Sequence, residues 1–122
     1  MSFLIQCRYR PGAAEERFSI RAKHLEYMIS ALPNTVAGGA LLDQRGPAIG
    51  MFVVLEVEDR AIAERFISGE PYNAAGLFET VEILRLKLMT PEPEPNFLAA
   101  ELTRQRRADI DVRDDDGRLV TD

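Results

Sequence analysis

Ile49-Gly50-Met51-Phe52-Val53-Val54-Leu55-Glu56-Val57 is the stretch on which the fold turns. It is a short run rich in β-branched and apolar residues, bounded by turn signals, so it reads as a strand. Side chains alternate between faces along a strand. Met51, Val53 and Leu55 therefore share one face, and Phe52 and Val54 the other. A strand apolar on both sides belongs to a sheet covered on both sides.

The neighbouring segments can be read outward from it. Downstream, Asp59 is the expected N-cap of a helix over residues 60–68 that turns Ile62, Phe66 and Ile67 inward, with Gly69 as its C-terminal stop. Residues 70–78 read as a turn and a short helical piece, and 80–88 as a last strand. Upstream, the loop 43–47 leads back to a strand over 35–42. Its Gly38-Gly39 pair marks a bulge or a close approach. A helix is expected over about 13–32, with Phe18, Leu25, Ile29 and Leu32 as its inward stripe and Ala22 and Met28 filling it. Pro33-Asn34 stops that helix. Residues 3–9 alternate as a first strand, ended by Pro11-Gly12. The order βαββαβ makes this an α+β chain with the ferredoxin-like arrangement, an antiparallel sheet with both helices on one face. The second sheet face also needs cover. Two domains packing sheet to sheet supply it, so a homodimer is expected.

The chain has 122 residues, 46% hydrophobic and 29% charged, with a formal net charge of −5. That balance suits an ordinary globular domain. It offers no basic stripe for nucleic acid. The single cysteine, Cys7, excludes an internal disulfide and clustered thiolate metal sites. The start shows no signal peptide. No apolar run approaches the roughly 20 residues that span a bilayer. A soluble, cytoplasmic protein with no membrane partner is expected. Residues 1–90 are read as the domain and 91–122 as a Pro-rich linker and acidic tail. The tail holds nine acidic and five basic side chains, and so carries −4 of the net −5. Asn96 is the expected cap of a short helix to about 107, and 114–117 a hairpin turn flanked by 110–113 and 118–121. The tail is either a flexible appendage or an arm laid on the partner subunit.

Two places can carry chemistry. His24, the only histidine, falls beside the core stripe of the first helix, with Arg21 one turn before it. Histidine is the side chain best suited to moving a proton near neutral pH. Taken by itself, a lone histidine is more often structural. Glu70-Pro71-Tyr72 follows a helix end, where Pro71 fixes the backbone. A carboxylate held there can orient an imidazole and stabilise its cation; it can also be a solvated acid in a turn. Asp114-x-Asp116-Gly117 does not make a calcium loop, because that register puts Val112 at the first ligand position. No Gly-rich phosphate loop or nucleophile elbow occurs, and with one histidine and one cysteine a zinc site would have to lean on carboxylates, so no cofactor and no metal site are expected.

The same residues resemble a family pattern. Arg21-Ala22-Lys23-His24-Leu25 resembles the Arg-x-x-His-Leu motif of the YciI-related (YCII) family, Ala37-Gly38 its Ala-Gly step, and Glu70-Pro71-Tyr72-Asn73-Ala74-Ala75-Gly76 its Asp-Pro-Tyr-x-x-Ala-Gly signature. The order and spacing agree over about residues 3–88. The departures are Glu70 for the usual aspartate, Gly38-Gly39 for Gly-Pro, and the tail. The resemblance implies a dimeric α/β-barrel assembly and a pocket between the first helix and the sheet, with the histidine paired to an acid. One branch of the family is similar to a dehydrochlorinase of chlorinated hydroxyquinols that uses such a pair as its base. Muconolactone isomerases and small monooxygenases share the broader architecture.

The expected function is therefore proton transfer or elimination on a small substrate, aromatic substrates included. His24 is the expected base, Glu70 its orienting acid, Arg21 the holder of an anionic oxygen, and Tyr72 and Gly38 pocket residues. The competing readings are a non-catalytic binding module on the same fold and, more weakly, a cofactor-free monooxygenase. A His24–Glu70 contact facing an open pocket favours the enzyme.

Overall fold

The computed structural model describes residues 1–111. The chain divides into two compact units, Met1–Lys87 and the residues from Leu88 on. The first unit runs β1 (Ser2–Tyr9), α1 (Ala13–Glu16), α2 (Arg21–Ser30), β2 (Thr35–Leu42), β3 (Ala48–Glu56), α3 (Arg60–Gly69), α4 (Pro71–Ala74) and β4 (Phe78–Leu86). The second contains α5 (Phe97–Asp111). The four strands form one sheet in the order β2-β3-β1-β4, every pair antiparallel. This is the α+β, ferredoxin-like arrangement.

The core lies on the helix side of the two central strands. Phe3 pairs with Leu55, Ile5 with Val53 and Cys7 with Met51, which puts six apolar side chains on one face. All are buried, and Ala63 and Ile67 of α3 close over them. Asp59 caps α3 through a 3.0 Å bond from the Ile62 N–H to its carboxylate. The opposite face is apolar along its middle, where Leu4 pairs with Val54 on one side and Leu84 on the other. Val54 is buried, but Leu84 at the edge is 48% exposed.

Several expectations are corrected. The single helix over 13–32 is three pieces: α1, a 3-10 turn over Arg17–Ser19, and α2, with a further 3-10 turn at Leu32–Asn34 around Pro33. Each 3-10 residue turns about 120° rather than about 100°, so three of them rotate α2 by about 60° relative to a continuous helix. The stripe Phe18, Leu25, Ile29 and Leu32 is 40–65% exposed rather than core, with Leu25 lining the pocket described below. The line facing the sheet is Ile20, His24, Tyr27 and Met28, all half-buried.

Gly69 is not a left-handed cap. A Cβ there would meet the Tyr27 hydroxyl at 3.0 Å, and that hydroxyl donates to the Phe66 carbonyl at 2.7 Å. The register of β2 shifts between Thr35 and Ala37 and again between Leu41 and Leu42, not at the glycine pair. β4 begins at Phe78, two residues early, because Tyr9 pairs with Phe78 after a register shift. In the second unit, Asn96 adopts φ 64°, and it is Glu92 that accepts from the Leu98 N–H, at 2.8 Å. α5 runs through Ile110, which was expected to flank a hairpin; the 114–117 turn lies outside the described residues. Among the described residues no helix is long and apolar enough to cross a membrane.

Candidate active site

Glu70 is fixed by the chain around it. It lies between α3 and α4 in extended conformation, and Pro71 begins α4 directly after it. Its side chain is fully buried. A buried carboxylate is costly unless its oxygens are bonded, and both are. Oε2 accepts from the Asn73 N–H at 3.1 Å, capping α4. Oε1 lies 2.5 Å from His24 Nδ1. Asn73 fastens the turn further by donating its side-chain amide to the Ile67 carbonyl at 2.9 Å. Glutamate, one methylene longer than the aspartate of the family pattern, thus reaches the imidazole.

An ionised carboxylate only accepts hydrogen bonds, so Nδ1 is the donor of this pair, and in the neutral imidazole that leaves the lone pair on Nε2. Nε2 makes no hydrogen bond among the described residues, yet no buried side-chain nitrogen or oxygen there lacks a partner. Nε2 is therefore open to the pocket that His24 lines. Tyr72 lies flat against the imidazole, with ring centroids 4.0 Å apart and planes 8° apart. Tyr9 meets Tyr72 edge-on at 6.2 Å and stacks on Phe78 at 5.5 Å. Burial pushes the Tyr9 and Tyr72 phenols up, and the Arg17 guanidinium partly offsets this in both.

The pocket has a volume of about 290 Å³. Arg17, Arg21, His24 and Met28 form its helical wall, and Gly38, Gly39 and Ala40 of β2 the wall opposite. It is at the small end for ligand sites, sized for about one ring. A Cβ at Gly38 would approach the Phe52 carbonyl oxygen at 3.3 Å, so bare backbone keeps that wall open. His24, Glu70, Arg21, Tyr72 and Gly38 are thus brought together, Glu70 from behind His24 and the others at the pocket wall. Sequence reasoning missed Tyr9 and Arg17. Arg17 had a signal: positions 17, 21, 24 and 28 repeat at helical spacing. Among the described residues no three His, Cys, Asp or Glu side chains gather as a metal site.

The YCII-related domain model matches residues 1–87. No curated protein matches the chain. Among solved structures, the chain is similar to 5-chloro-2-hydroxyhydroquinone dehydrochlorinase (TftG) from Burkholderia phenoliruptrix AC1100, in complex with 2,5-dihydroxybenzoquinone. Identity is 30%, the match covers 71% of this chain and 94% of that one, and the TM-score is 0.66. SnoaB, a cofactor-independent oxygenase from Streptomyces nogalater, is similar at 19% identity over 75% of this chain and 96% of that one, with a TM-score of 0.46. A family model spanning most of the chain and a relative matched over nearly its whole length agree, and the chain belongs to the YCII-related domain family.

Proposed function

We propose that this protein removes a proton from a small hydroxylated, unsaturated ring and so drives an elimination, with His24 as general base. The observation that carries the reading is the 2.5 Å contact from His24 Nδ1 to the buried Glu70 carboxylate, with Nε2 left open toward the pocket. Nε2 takes the proton. The electron pair it leaves moves into the ring, and a leaving group such as chloride departs with its bonding pair. The step is redox-neutral and needs no oxidant. Glu70 holds the reactive tautomer and stabilises the imidazolium that forms. Tyr72 keeps the imidazole flat, and Arg21 faces the oxygen that gains charge. TftG, similar over the same domain, is by its name a dehydrochlorinase of such a ring, which supports this reaction class.

Chloride release from 5-chloro-2-hydroxyhydroquinone tests the reading. The parent protein should release chloride. His24→Ala should lose about 10²–10⁴-fold in rate, the usual worth of a positioned base. Glu70→Gln should lose rate with its fold retained, because an amide can donate to Nδ1 and reverse the tautomer. No release by the parent, or equal release by His24→Ala, rejects the proposal.

We also infer that the working form is a homodimer joined through the outer sheet face, and that residues 1–90 are its folding unit. The apolar line Leu4, Val54 and Leu84 supports the first.

A further inference from the structure

The pocket contains more positive charge than an imidazole base needs. Arg10, Arg60 and Arg104 each pair with a glutamate, Glu16, Glu64 and Glu101 respectively. Arg17 and Arg21 pair with no carboxylate among the described residues; the same holds for exposed Arg8, Arg45, Arg65 and Arg85, but of these only Arg17 and Arg21 line the pocket. Arg17 is also held in place. Its guanidinium carbon lies 4.7 Å from the centroid of the Phe18 ring and 5.8 Å from that of Tyr9. Cation–π contact of this kind fixes a guanidinium without neutralising it. It also gives Phe18, 65% exposed and absent from the core, something to hold.

Arg17 opens the 3-10 turn and Arg21 opens α2, four residues on, with His24 a turn later in α2. Two unneutralised guanidiniums in a small pocket otherwise walled by Met28, Met51, Ala40 and aromatic rings make an anion site. A guanidinium presents a planar fork of donors that fits two oxygens at once.

The geometry points to Arg17 as a specificity-determining residue that, with Arg21, clamps an ionised oxygen of the substrate, so that the site takes planar oxyanions such as ring enolates and phenolates in preference to neutral phenols. This deepens the reading of His24 as base by stating the charge of the molecule on which it acts. Fixing the anion at one end sets the ring edge against Nε2 at the other. It also means that negative charge is met by guanidinium before and after the proton leaves.

Calorimetric titration of the full chain with two probes tests this. 2,5-Dihydroxybenzoquinone is ionised at neutral pH, and hydroquinone is not. The parent should bind the ionised probe at least about tenfold tighter, a preference worth ~1.4 kcal/mol. Arg17→Gln should weaken the ionised probe by about tenfold and hydroquinone by less than about twofold, in line with loss of one charged hydrogen-bonding partner. Arg17→Lys should fall between, keeping the charge but not the fork. Equal binding of both probes by the parent, absence of binding of the ionised probe, an unchanged Arg17→Gln, or equal loss of both probes overturns the clamp. His24→Ala separates the two proposals. If Arg17→Gln binds like the parent while His24→Ala stops chloride release, the clamp fails and the base stands. If His24→Ala still turns over while Arg17→Gln loses its preference for the anion, the base fails and the clamp stands.

Discussion

Glu70 holds two structures at once. One oxygen begins α4 and the other fixes the imidazole, so the turn and the site are set by one side chain. Cys7 is a contrasting buried group. Its thiol lies in the core under the sheet, and burial, with some help from the Glu70 charge, pushes it up to about 12 from an ordinary value of 9.0. Tyr9, Tyr27 and Tyr72 are also raised above 10.0, chiefly by burial. A raised acid keeps its proton in the fold and loses it in the unfolded chain. Unfolding in alkali then releases protons, so the stability these groups contribute is complete below about pH 9 and falls as pH rises toward about 12. Urea midpoints should therefore drop between about pH 8 and about pH 10.5, and Cys7 should resist a thiol reagent until urea unfolds the chain. A midpoint that rises with pH over that interval contradicts this account.

At the scale of elements, the strands and the second helix were legible in the sequence because their signals are local. Alternation at Phe3, Ile5 and Cys7, and an aspartate at the start of α3, each act within a turn or a strand. The first helix was legible as helix but not in its facing. Periodicity shows which side chains share a line, and the 3-10 turn at Arg17–Ser19 then decides which line meets the sheet. Of the candidate site, His24, Arg21 and Glu70 stood out only together with the family motifs, since a lone histidine or an acid in a turn is by itself more often structural. Tyr9 did not stand out, because its part depends on β1 ending beside α4, a matter of tertiary packing. The facing has a measurable consequence. Ile29→Gln, on the outward line, should change unfolding free energy by no more than about 0.5 kcal/mol. Ile67→Ala, in the core, should cost about 2–5 kcal/mol in the same urea experiment. Similar costs at the two positions would mean that α2 faces the other way.

For the whole molecule, the unequal burial of the outer sheet face matters most. Val54 is buried, whereas Leu84 is half open at the edge strand. A partner sheet laid across this face would cover Leu84 at little cost to the single subunit. In the homodimer proposed above, Leu84→Glu should shift sedimentation from twice the chain mass to the chain mass, with the urea midpoint of the subunit nearly kept. A parent that already sediments as a monomer rules out the homodimer.

The flat contact between Tyr72 and the only histidine has one more consequence. An aromatic ring carries a circulating electron current under a magnetic field, and protons above its face resonate upfield. The chain contributes a single pair of imidazole carbon-bound protons, and the Tyr72 ring lies over them. Their two lines, the chain's only histidine lines, are displaced by the stack and move if a ligand tilts either ring. The centre of the pocket therefore carries its own unlabelled reporter.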